Sequence, residues 1–376
     1  MSNIMFLDPS TTVNIEESID KQIGLNGKSK FYQINSSTHS LASSISVCTD
    51  KFGFMDSSMS LSTIGRESKL NLTQLRRREK KWIKMTSSTQ AWNLYFTKHH
   101  KTLSSRVRKG IPPSIRPKAW FYLCSAVSLQ KDQNTFEGLC KQEGNKKYLH
   151  DIEKDLHRNF PTHELFGGEF GHIGKAELFR ILKAYSIHNP VVGYCQAQAP
   201  IAALLLMNMP SDKAFWCLQQ ICDHILKGYY SEGMTSIQVD GNTLFSLCKA
   251  FCPDTYNHLK NQDIQPMFFM QEWFLCVYTR TFPMSTVLRV WDMFMCEGNS
   301  ILFKVGLIVL KHTLTKDVRK QCLSDIDTLS VLKDLPTYVT NEKFMVKKVI
   351  DINIKNEDIT KERAIQLRKF NNENKR

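Results

Sequence analysis

The amino-acid sequence predicts an all-α protein: a single large multi-helix domain behind a disordered N-terminal tail. Three observations lead there. Between Gly110 and about Lys333, apolar residues recur at three- and four-residue intervals in one segment after another, the pattern of helices that each bury one face. Strand signals are scarce, because no alternating run of β-branched residues is bounded by an Asn-Gly or Asp-Gly turn. No fixed-period repeat is visible, which argues against a solenoid.

Taken in order, residues 1–65 read as the tail. From Ser36 to Thr63 there are thirteen Ser and Thr in 28 residues with few aliphatics. Such a composition buries too little apolar surface to offset the entropy of ordering. Residues 66–109 read as a basic helical lead-in, with thirteen Lys or Arg against two Glu, a local charge of +11. Its apolar members Trp82, Met85, Trp92, Tyr95 and Phe96 recur near helical spacing, which predicts one or two basic helices lying on the main body. Two readings of the charge stay open: the solvated face of docked helices, which is the ordinary outcome for a charge run, or a contact with an anionic membrane.

Residues 110–333 form the predicted helical body. Phe215, Leu218, Cys222, Ile225 and Leu226 share one helical face, with Pro210 before and Gly228 after as start and stop. Similar patterns run over Glu177–Tyr185, Trp273–Arg280 and Ile301–Leu310. The cluster Gly167, Gly168, Gly171 and Gly174 reads as a flexible turn after Phe166. Residues 334–376 form a charged C-terminal tail; its last part, from Asn341, is Asn-rich with one weak helical pattern and a frayed tip.

Composition narrows the function classes. The 376 residues are 42% hydrophobic and 23% charged, as in an ordinary globular protein. Fifty basic against 36 acidic side chains give +14, which favours anionic partners. The longest clear apolar run, Ala199–Met207, has nine residues and includes a proline, against roughly 18 needed to span a bilayer. The opening MSNIMFLDPS lacks the basic and apolar regions of a secretory signal, so a cytoplasmic location is expected. Eleven cysteines without a C-x-x-C pair read as reduced core residues. Nucleic acid is a poor fit, because the aromatic residues of the basic segment stand at core-like spacing and no nucleic-acid module is present.

Few residues offer chemistry of their own. The histidines are scattered, with no pair at i, i+4 to hold a metal. The glycine cluster is preceded by no strand and followed by no Lys-Ser or Lys-Thr, so the chain is not expected to bind nucleotide alone. Cys195 is a candidate nucleophile with His188 upstream, set against the strong tendency of free cysteine to be a buried core residue. Arg158 stands three residues before Pro161, at a helix end from which its side chain can project; capping a carbonyl or pairing with Asp155 is the plain alternative. Gln196 precedes an apolar helical stretch, either as a core hydrogen-bonder or as a presented group.

Ile152-x-x-Asp155-x-x-Arg158-x-Phe160-Pro161 and Gly193-Tyr194-x-Gln196 resemble the two signature motifs of the TBC domain, the catalytic domain of GTPase-activating proteins for Rab GTPases. Gly110-Ile111-Pro112 with Arg116 and Trp120 resembles that domain's opening. Phe282-Pro283, Leu288, Trp291-Asp292, Gly298 and Phe303 resemble its second half, in the expected order. Within the family, GYCQAQAP and FWCLQQIC are most similar to the member-ten subgroup.

The resemblance implies a TBC-type all-α fold, a GTP-bound Rab as partner, and a role in vesicle trafficking. It implies Arg158 as an arginine finger and Gln196 as a glutamine finger, both supplied in trans. Asp155 would orient the arginine, Tyr194 would pack or position the backbone, and Phe160 and Pro161 complete the motif. No cofactor of its own is implied, since GTP and Mg²⁺ belong to the Rab. A TBC fold that binds a Rab without accelerating hydrolysis is the rival reading. The sequence departs from the family at Asn159, where Thr is usual, and at Ala197-Gln198, where Gly-Met is common and where Rab choice is the expected consequence. Subgroup namesakes engage PDZ scaffolds, but Glu373-Asn374-Lys375-Arg376 lacks an apolar final residue, so no PDZ ligand is expected there.

Overall fold

The computed structural model describes residues 49–55, 69–128, 134–169 and 171–373. They form nineteen α-helices and no strand, with two isolated β-bridges, so the described chain is all-α as the periodicity predicts. The expected tail 1–65 lies outside the described residues except for Thr49–Met55. These seven residues are not free: they pair with residues 162–164 of the body.

The basic lead-in is three helices, Lys69–Met85, Thr89–Thr97 and His100–Lys109. Its sequence carries a buried face at helical spacing, and that face is what docks. Trp82, Met85 and Trp92 enter the core with Leu103 and Val107, and Tyr95 and Phe96 pack at its edge. Arg108 closes the contact with a two-pronged ion pair to Glu297, at 2.9 and 3.1 Å.

The opening and the second half of the body meet at one carboxylate. Asp292 is fully buried; it accepts the Ile111 amide at 3.0 Å, Arg116 Nε at 3.1 Å and Trp120 Nε1 at 2.9 Å. Arg116 also donates to the Ile111 carbonyl, and the Trp120 and Trp291 rings lie 5.5 Å apart. A buried ion pair stripped of one partner costs about 3–5 kcal/mol, so these motif residues belong together as a structural unit.

Four helices carry the region of interest: Lys146–Leu156, Gly171–His188, Gln198–Asn208 and Ser211–Gln220, each packed on its neighbours. The last widens into a π-helical turn, Ile221–Ile225, before the chain breaks near Gly228.

The fold differs from expectation in three places. Gly171 and Gly174 are not in a turn but in the helix Gly171–His188. A Cβ on Gly174 would stand 1.8 Å from the Leu165 carbonyl oxygen, so the glycines permit a close approach. The helix expected over Trp273–Arg280 is Met267–Leu275, because the backbone turns left-handed at Val277 and Tyr278. That turn lets Tyr278 Oη reach the Leu302 carbonyl at 2.9 Å and lets the Val277 carbonyl accept Trp291 Nε1 at 3.0 Å. The charged C-terminal stretch is helical, but it is also docked. Asn356–Glu373 packs along Thr235–Phe251, and Arg363 pairs with buried Asp240, which also accepts the Tyr229 hydroxyl. Burial raises the Asp240 carboxyl and the positive charge of Arg363 opposes that rise.

Candidate functional site

The site is built from two loops. The first follows the helix Lys146–Leu156, whose Asn145 side chain caps its start by accepting the Lys147 amide at 2.9 Å. The helix stops at His157, as Pro161 requires. Asn159 then turns back and donates to the Asp155 carbonyl at 2.6 Å, so it fills a capping role at the helix end. Arg158 lies in the turn between them. Its side chain is 58% exposed and makes one ion pair, Nη1 to Asp155 Oδ1 at 3.2 Å. It caps no carbonyl among the described residues, and the rest of its donors are unengaged there. Phe160 is half-buried with φ +46°, a left-handed conformation that a bulky residue adopts only when its surroundings hold it. Pro161 is exposed, and its carbonyl packs so tightly on Gly167 that a Cβ there would lie 2.1 Å away.

The second loop runs from Asn189 to Ala197 and feeds the helix Gln198–Asn208. Asn189 anchors it, donating to Asp223 in the π-helical turn at 2.7 Å and accepting the Val192 amide at 3.2 Å. Asp223 also accepts the Tyr185 hydroxyl at 2.7 Å. Gly193 sits at φ +63° with the Tyr148 ring against it; a Cβ would lie 2.4 Å from that ring, so glycine is required twice over. Gln196 is exposed in the turn just before the helix, and its carboxamide has no partner among the described residues.

Asp155 joins the loops. It is buried, with one oxygen on Arg158 and the other accepting the Tyr194 hydroxyl at 2.8 Å. Burial, then the bond to Asp155, raises the Tyr194 phenol well above its ordinary range, so it stays protonated and donates. All six residues singled out in the sequence therefore fall on these two loops and the helix end between them. Asp155 and Tyr194 are the link, and Arg158 and Gln196 are the exposed polar side chains at either side of it.

One neighbour takes a different role from the one the sequence suggested. Gln198, placed with Rab choice, is 1% exposed and cannot present itself to a partner. Its Oε1 accepts the Cys195 amide at 3.1 Å, which fixes the loop that carries Gln196. Of the two readings of Cys195, the structure favours the core one: burial raises its thiol, and His188 packs on Phe215 and Trp216.

Away from the loops, the lead-in helices leave a cavity of about 380 Å³ lined by Arg78, Lys81, Trp82, Lys101, Arg106 and Lys109. Among the described residues, no carboxylate pairs with any of these cations.

Comparison with known proteins places this arrangement. The Rab-GTPase-TBC domain model matches residues 113–317. TBC1 domain family member 10A of Mus musculus is 46% identical over 323 residues, 85% of this chain and 63% of that protein. TBC1 domain family member whacked of Drosophila melanogaster is 42% identical over 88% of this chain and 90% of its own length. This chain also spans only 40% of TBC1 domain family member 10B of Mus musculus, at 44% identity. The crystal structure of the Chlamydomonas flagellar RabGAP TBC domain shares the fold, with a TM-score of 0.59 at 24% identity, over 81% of this chain and all of that one. The Ypt/Rab-GAP domain of Gyp1p does so at 0.56 and 19% identity, over 77% of this chain and 99% of that one. With its motif residues gathered on two linked loops of this fold, the chain belongs to the Rab-GTPase-TBC domain family.

Proposed function

We propose that the protein is a GTPase-activating protein for a Rab GTPase, with Arg158 and Gln196 as two fingers inserted in trans. The observation that carries this reading is the shared carboxylate: through Asp155 and Tyr194, one linkage presents an exposed arginine and an exposed glutamine from two separate loops. GTP hydrolysis needs charge on the transferring phosphoryl group neutralised and the attacking water held in line. A guanidinium stays charged and offers fixed donors for the first task. A carboxamide both donates to and accepts from a water for the second. Asp155 keeps one guanidinium nitrogen in place and leaves the others for the phosphoryl oxygens. Nucleotide and Mg²⁺ belong to the GTPase, so the chain needs no cofactor.

The reading extends to place. A Rab-directed activator would act from the cytoplasm in vesicle trafficking, on membranes that carry its partner. The cation-lined cavity and the exposed charges of the lead-in helices support a peripheral contact with anionic lipid, consistent with the fact that no described helix is long and apolar enough to cross a membrane. Phosphate release from a panel of GTP-loaded Rabs, with and without the protein, tests the activity. Binding without acceleration on every member would favour a non-catalytic Rab-binding module instead.

A further inference from the structure

We infer that residues 49–55 are a brace for the arginine loop, and that Gly53, Phe54 and His163 are positioning residues for Arg158. This inference rests on the Rab-activating reading above.

The segment folds on itself first. Asp50 Oδ1 accepts the amides of Phe52 at 2.8 Å and Phe54 at 3.0 Å, and the Asp50 amide donates back to the Phe54 carbonyl at 2.8 Å. The tight turn requires Gly53 at φ +86°. It then docks on the loop directly after Arg158. Met55 donates to the Thr162 carbonyl at 2.7 Å, and the Glu164 amide donates to the Gly53 carbonyl at 2.8 Å. The Phe54 ring meets Phe160 and His163 edge-on, at 6.2 and 5.0 Å between centres.

His163 locks the two pieces. The Leu165 amide donates to its Nδ1 at 3.1 Å, so that nitrogen carries no proton. The proton is on Nε2, which donates to the Phe52 carbonyl at 2.9 Å. Every polar atom of the ring is used, and the ring is buried. A Cβ on Gly53 would stand 2.7 Å from Nε2, so the backbone must approach bare.

The geometry explains why the brace matters for the arginine. Phe160, two residues after Arg158, is held at a positive φ that costs about 1–3 kcal/mol in an unsupported chain. Phe54 lies against its ring and the strap of hydrogen bonds fixes the residues that follow. Without them the loop relaxes at Phe160 and Arg158 loses its aim, while the helical body remains.

The test uses the full chain and the variants Phe54→Ala, Gly53→Ala and Phe54→Tyr, with single-turnover GTP hydrolysis on a Rab that the wild type stimulates. Because misplacing a catalytic group by about 1 Å costs up to about 100-fold, Phe54→Ala and Gly53→Ala should lower the maximal rate by about 10- to 100-fold. The half-saturating concentration should stay within about twofold, the melting temperature should stay near wild type, and Phe54→Tyr should restore the rate. Hydrogen exchange at the Glu164 and Leu165 amides should quicken in the two damaging variants. Maximal rates within twofold of wild type overturn the brace, whether or not exchange changes. So does a loss confined to the half-saturating concentration, which would make the segment a docking surface. A wild type that stimulates no Rab is a separate result: it removes the activating reading and the positioning role together, and the exchange measurement still reports whether the strap exists.

Discussion

Tyr194 donates to Asp155 at 2.8 Å, across a gap of 39 residues, and by that bond the glutamine loop is tied to the residue that holds Arg158. Tyr194→Phe keeps the packed ring and removes only the tie. The maximal rate of Rab GTP hydrolysis should fall by about tenfold or more. Stability should fall by about 1–3 kcal/mol, because the buried Asp155 oxygen is left without its donor. Kinetics and urea unfolding of the same variant check both.

Arg158 should behave as a catalytic group rather than a structural one. An arginine finger contributes about 1,000- to 100,000-fold in rate, so Arg158→Ala and Arg158→Lys should nearly abolish stimulation. Binding to the GTP-loaded Rab should survive. With the side chain 58% exposed and no carbonyl capped among the described residues, both variants should melt close to wild type. A large drop in Tm would return the arginine to a structural role.

Gln196 and Gln198 should fail in opposite ways. Gln196→Ala removes an exposed carboxamide with no partner among the described residues, so catalysis should be lost at unchanged stability. Gln198→Ala removes the acceptor of the half-buried Cys195 amide, and the loss of that hydrogen bond should cost about 0.5–1.5 kcal/mol. Unfolding curves and single-turnover rates measured side by side separate the two.

The cation-lined cavity makes a salt-dependent prediction. Reversing Arg78 and Lys101 to Glu should weaken binding to vesicles rich in anionic lipid, steeply at low salt and less at high salt. Soluble-assay catalysis should stay intact. Vesicle binding equal to wild type would leave these helices as a solvated face.

The helical body was legible because its apolar residues keep the period of a buried face, as Phe215, Leu218 and Cys222 do. The paired motifs were legible as residues but not as contacts. Nothing in the spacing of Ile111, Arg116, Trp120 and Asp292 says that one carboxylate gathers them, since the two segments lie about half the chain apart. Gln196 and Gln198 could not be told apart by type; only the phase at which the helix begins sends one outward and the other into the core. The strap at 49–55 was hidden by its Ser- and Thr-rich surroundings. A signal was present in Asp50-Lys51-Phe52-Gly53-Phe54, where an Asx-type turn and a glycine stand between two aromatic rings.

The two-finger mechanism is tested most directly by a Rab whose own switch glutamine has been replaced, assayed with wild type and with Gln196→Ala. If Gln196 supplies the water-positioning carboxamide, the wild-type protein should still accelerate GTP hydrolysis on the altered Rab and the Gln196→Ala variant should not. If the altered Rab resists the wild-type protein while the unaltered Rab responds to it, the GTPase keeps its own glutamine in the reaction, and the role assigned to Gln196 is wrong even where Arg158 is essential.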